Sequence, residues 1–108
     1  MNKKEANLVE PYMPTHPGEI LKDEIEYRGI SQKKLAEEIG VSCTQLNEVL
    51  NGKRPLNTSM AMLIAAALDL DVEPLLVLQT RYDMITAQRD QTFSRRLASI
   101  RKIASVLP

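Results

Sequence analysis

Apolar residues recur along this chain at the three- and four-residue spacing of helices, and no alternating strand pattern occurs. Ile20, Leu21 and Ile25 form the inner face of a helix expected over 17–28. Pro17 suits its first position, Glu19 faces the positive end of its dipole, and Gly29 ends it. His16, the only histidine, stands where a cap belongs. Two short helices follow, over 32–39 and 43–51, with Leu35, Ala36, Ile39, Leu46, Val49 and Leu50 holding them across each other. Ser31 and Ser42 stand at their N-caps. Ile30 with Leu35, and Val41 with Leu46, have the spacing of hydrophobic staples, and Ser42 with Gln45 that of a capping box. Gly40 falls where the first helix must stop and the chain turn.

A fourth helix is expected after the cap Asn57, running to about Leu68. Met60, Ala61, Leu63, Ile64, Ala65, Ala67 and Leu68 make it apolar nearly all round, which predicts a central buried helix with methionine as core filler. Asp69 follows at a position where glycine would be easier. A fifth helix starts after Asp71, with Leu70 and Leu75 at staple spacing and Pro74 in its first turn, and carries Leu75, Leu76, Leu78, Tyr82 and Ile85 on one stripe. Residues 91–107 repeat Phe93, Leu97, Ile100, Ala104 and Leu107 on one face, with Arg95, Arg96 and Lys102 mostly opposite and no acidic residue. Such a helix suits docking on its own domain, self-association, or an acidic or membrane partner. Residues 1–14, broken by Pro11 and Pro14, read as an arm: a disordered leader, or a segment that orders on a partner. The expectation is an all-α fold with a domain over 15–90 and a helical tail over 91–108.

The pair of short helices has the form of a helix-turn-helix. Capping alone does not assign it a function, because capped helix pairs occur in many all-α proteins. The close of the unit does more. Asn51-Gly52-Lys53-Arg54-Pro55 ends the second helix with residues tolerant of positive φ and sets two cations beside it, where a phosphate would lie. Ser42, Cys43, Thr44 and Asn47 face outward at that helix, small or polar side chains able to meet base edges.

Composition narrows the classes. The 108 residues suit one domain. Fourteen Lys and Arg balance fourteen Asp and Glu, which argues against a non-specific coating of DNA and suits a dimer with local basic clusters. Three Tyr, one Phe and no Trp leave little for stacking on single strands. Cys43 is the only cysteine, so there is no internal disulfide and no zinc ligand set, as suits a reducing cytoplasm. Neither a signal peptide nor an apolar run of membrane-spanning length is visible, so no membrane role is expected. One histidine, one cysteine and no glycine-rich phosphate loop argue against an enzyme, and no cofactor or metal site is expected.

Three segments resemble the HigA (VapI) type antitoxins, a branch of the lambda-repressor-like (XRE) helix-turn-helix proteins. They are Pro14-Thr15-His16-Pro17-Gly18-Glu19-Ile20-Leu21, the run from Ser31-Gln32 through Leu35-Ala36 to Asn51-Gly52-Lys53-Arg54, and Leu78-Gln79 with Tyr82-Asp83. The first and third are distinctive of the branch; the second is common to the superfamily. The resemblance covers about residues 14–87 and implies a five-helix DNA-binding domain that acts as a homodimer on an inverted-repeat operator. It implies repression of the module's own operon and neutralisation of a cognate RelE-like ribonuclease toxin that cleaves mRNA. It implies that Gln32 contacts phosphate at the start of its helix. By the same resemblance Ser42, Cys43, Thr44 and Asn47 approach the major groove, and Lys53 and Arg54 hold the flanking backbone. The chain departs from the pattern in three places. Cys43 and Thr44 replace the glutamines common at the start of the reading helix and cannot make a bidentate adenine contact. Glu48 repels phosphate unless it meets a cytosine amino group, and an aromatic pair common near Pro74-Leu75 is missing. The alternatives are a stand-alone phage-type repressor, and a toxin-binding module with little DNA affinity of its own.

Overall fold

The computed structural model describes residues 14–108. Among them lie six helices and no strand: α1 (Pro17–Tyr27), α2 (Gln32–Ile39), α3 (Cys43–Leu50), α4 (Thr58–Leu68), α5 (Glu73–Arg89) and α6 (Gln91–Ala104). The class is all-α as expected; the count is six, α6 lying in the tail. The expected arm over 1–14 lies, but for Pro14, outside the described residues. The chain divides into a compact unit of Thr15–Thr80 and a second that includes Arg81–Pro108.

Local chemistry explains where the helices start. Ser31 accepts from the Lys34 backbone N–H at 3.0 Å, Ser42 from that of Gln45 at 3.0 Å, and Asn57 from that of Met60 at 2.8 Å. Each satisfies an N–H that the helix itself leaves orphaned. The complete capping box is at α1. His16 Nδ1 accepts from Gly18 N–H at 2.9 Å, and the Glu19 side chain accepts from the His16 N–H. The expected cap role of His16 therefore holds, and it is a buried one, 1% exposed. Helix ends follow the same logic. Gly40 closes α2 in the left-handed conformation, φ 75°. Asp69 does the same for α4 at φ 57°, a region that L-residues other than Asn and Asp seldom enter. Arg28, the C-cap of α1, donates from Nη1 to the Leu68 carbonyl at 2.8 Å, which satisfies one of the last carbonyls of α4.

The core of the first unit joins Leu21 and Ile25 of α1, Leu35 and Ala36 of α2, and Leu46, Val49 and Leu50 of α3. Leu56, Leu75 of α5 and the inner face of α4 (Met60, Ala61, Ile64, Ala65, Leu68) complete it. One expectation needs correcting. α4 is not buried all round, because Met62 and Leu63 are exposed, as are Ala66 and Ala67. Apolar composition on every face does not provide a neighbour for every face. On α5 the expected stripe lies inward, Leu75 buried and Leu76, Leu78, Tyr82 and Ile85 half-buried, while Val77, outside it, is exposed; Gln79 is a further buried position. Gln79 Oε1 accepts from the buried Leu56 N–H at 2.8 Å, which anchors the segment before α4 to α5. α6 buries none of its residues.

α1 sets the position of α3 through a glycine. A Cβ at Gly18 would lie 1.9 Å from the Val49 carbonyl oxygen and 3.0 Å from His16 Nδ1. The first turn of α1 therefore touches the backbone of α3 directly, and only hydrogen fits between them.

Candidate nucleic-acid interface

α2 and α3, joined through Gly40, Val41 and Ser42, present the proposed interface. Leu46, Val49 and Leu50 root α3 in the core at 1% exposure or less. The opposite side of α3 is then fixed in direction without any polar contact having to hold it. Ser42, Cys43, Thr44 and Asn47 lie exposed there. Thr44 and Glu48, four residues apart, are neighbours on one helix face.

A chain of side-chain hydrogen bonds braces this surface. Asn47 Nδ2 donates to Gln32 Oε1 at 2.9 Å, so Gln32 links the first turn of α2 to the middle of α3. Asn51 Nδ2 donates to the Asn47 carbonyl at 3.0 Å, and Lys22 Nζ of α1 donates to Asn51 Oδ1 at 2.9 Å. The structure thus brings Gln32 and Asn47 into contact, a pairing that sequence reasoning missed because the two are 15 positions apart. Ser42 uses its hydroxyl as acceptor for the α3 cap, which leaves its O–H free to donate outward.

The loop after α3 carries Lys53 and Arg54, both exposed. The Lys53 N–H bonds the Glu48 carbonyl at 2.8 Å, and Gly52 makes the turn at φ 73°. Arg54 is already engaged: Nε and Nη2 donate to Glu48 Oε1 at 2.9 and 2.7 Å. A spacing of six is no helix-face interval, which is why the sequence alone did not show this ion pair. Cys43, at the first turn of α3, is a free exposed thiol.

A helix-turn-helix family model matches residues 21–75, half of the chain, and spans α2 and α3 entirely. Virulence-associated protein A' of Dichelobacter nodosus is 35% identical over 72 residues, 66% of this chain and 63% of that relative's length. Among solved structures, Pseudomonas aeruginosa PA4674 in complex with its operator DNA is 32% identical, with a TM-score of 0.65 over 71% of this chain and 84% of that one. Pseudomonas aeruginosa antitoxin HigA with the higBA promoter is 28% identical, with a TM-score of 0.65 over 88% of this chain and 96% of that one. The chain belongs to the XRE-like helix-turn-helix family and is similar to the HigA-type antitoxins within it.

Proposed function

We propose that this chain is a sequence-specific DNA-binding repressor that is also the antitoxin of a HigBA-type module. It represses its own operon in the cytoplasm and neutralises an mRNA-cleaving, RelE-like toxin. The observation that carries the reading is α3: rooted by three buried side chains, it offers a strip of exposed polar residues beside a basic loop. Two similar structures hold operator or promoter DNA. In this reading Gln32 contacts phosphate, and Ser42, Cys43, Thr44 and Asn47 approach base edges. Lys53 and Arg54 take the flanking backbone. In this reading the DNA-binding domain extends over 15–90 and a helical tail follows over 91–108. Function as a regulator requires no catalytic residue and no cofactor.

The charge distribution asks for two copies. Thr15–Thr80 carries six Lys or Arg against ten Asp or Glu. One such unit neutralises few phosphates, so a homodimer on an inverted repeat is expected, with half-sites about 10 bp apart. The same charge count favours a second reading, a toxin-binding module with little DNA affinity of its own.

A footprint on the DNA upstream of the gene, with the protein alone at several salt concentrations, separates the two. The repressor reading predicts protection of two half-sites that weakens steeply with salt. Absence of protection at low salt would leave the toxin-binding module. Co-purification with the product of the adjacent gene tests the toxin partner.

A further inference from the structure

The proposed DNA-reading strip contains an anion, and the structure shows what that anion does in the free protein. Glu48 lies one turn beyond Thr44 on α3. Its Oε1 accepts from Nε and Nη2 of Arg54, with the two side chains 39% and 48% exposed. The carboxylate occupies the place that a DNA phosphate would take on the Arg54 fork. Phosphate and Glu48 therefore compete for one guanidinium, which is the geometry Arg uses for both anions.

We propose that Glu48 is a specificity-determining residue that rejects DNA lacking an exocyclic amino group at its base position; the proposal rests on the reading of α3 as the element in the groove. When a backbone phosphate takes Arg54, Glu48 loses its cation while facing the negative field of the duplex. In the major groove the groups that can satisfy a carboxylate are N–H donors, the cytosine N4 amino group foremost. A duplex that presents this donor offsets the loss of Arg54. Any other duplex leaves a carboxylate uncompensated against DNA. Arg54 is then the partner that keeps Glu48 neutralised until DNA arrives, and the discrimination works chiefly by penalising wrong sequences.

The test compares wild-type protein, Glu48→Gln and Asn47→Ala by fluorescence anisotropy on two probes. One is a duplex enriched from a random library by the wild-type protein; the other is a random-sequence duplex of equal length. Glu48→Gln removes the charge and keeps the shape. It is expected to raise affinity for the random duplex about tenfold, with less than a threefold gain on the selected one, so that the ratio of the two affinities falls several-fold. Library selection repeated with Glu48→Gln should lose the cytosine preference at one position of each half-site. An unchanged ratio and consensus would overturn the proposal, as would equal weakening on both probes, the signature of a structural role. If Asn47→Ala alters the consensus while Glu48→Gln does not, the proposal falls and the reading of α3 stands. If neither variant alters it, both fall. Matching melting temperatures of the variants establish that each is folded.

Discussion

Replacing Gly18 by alanine should destabilise the protein, in the opposite direction to helix propensity. In an exposed helix interior, alanine is better than glycine by about 0.8–1.0 kcal/mol. Here the added methyl would sit 1.9 Å from the Val49 carbonyl oxygen and 2.9 Å from its carbonyl carbon, both backbone atoms of α3. Contact at a normal distance would need a separation of more than about 1 Å between two elements packed in one core, since carbon prefers roughly 3.5 Å or more from its neighbours. Overpacking of this kind costs about 1–3 kcal/mol. The same methyl crowds His16 Nδ1, whose bond to the Gly18 N–H caps α1, and loss of a cap costs about 1 kcal/mol. Less the alanine gain, the net loss is about 1–3 kcal/mol. For a unit of this size that corresponds to a fall in Tm of roughly 5–25 °C. Thermal unfolding followed by circular dichroism, with a urea titration for the free energy, measures it. A variant with an unchanged or higher Tm would refute the claim that the backbones of α1 and α3 touch at Gly18.

Three further outcomes follow from the packing. Gln79→Leu removes the acceptor of the buried Leu56 N–H and should lower stability by about 1–3 kcal/mol in urea titration, although the side chain becomes more apolar. Asp69→Gly relieves a left-handed residue, worth about 1–2 kcal/mol of strain, against a glycine entropy cost of about 0.5–1 kcal/mol. A small net gain in Tm is expected, and a fall would contradict it. Leu97→Asp with Ile100→Asp should leave the Tm of dilute protein within a few degrees, because no residue of α6 is buried in the chain. A large fall would show that this face is covered.

Much of the helix-turn-helix was legible because its determinants are local. Ser31, Ser42 and Asn57 cap within three residues, Gly40 takes the left-handed turn, and Asp69 stands where glycine was preferred. What stayed hidden depended on distant partners. His16 showed as a cap, but its burial and the need for glycine at position 18 come from the end of α3, some thirty residues on. Gln79 stood out only as part of a segment that resembles the family, and only the fold places the Leu56 N–H against it. The apolar sequence of α4 pointed to full burial; nothing in the sequence told that Met62 and Leu63 would lack a neighbour. At the proposed interface, outward-facing residues were legible from helical spacing. Their bonds to one another, Gln32 with Asn47 and Glu48 with Arg54, were not.

The central claim is that α3 reads base edges while the loop after it holds phosphate. Library selection and anisotropy on one set of duplexes, with wild type, Thr44→Ala and Arg54→Ala, test it most directly. Thr44→Ala should relax the preference at one position of each half-site, at a cost of about 1–3 kcal/mol if its base contact is a good one, and leave the rest of the consensus in place. Arg54→Ala should weaken binding to every duplex alike, keep the consensus, and reduce the salt slope by about 1. An unchanged consensus and affinity for Thr44→Ala, or a consensus altered by Arg54→Ala, would contradict the account.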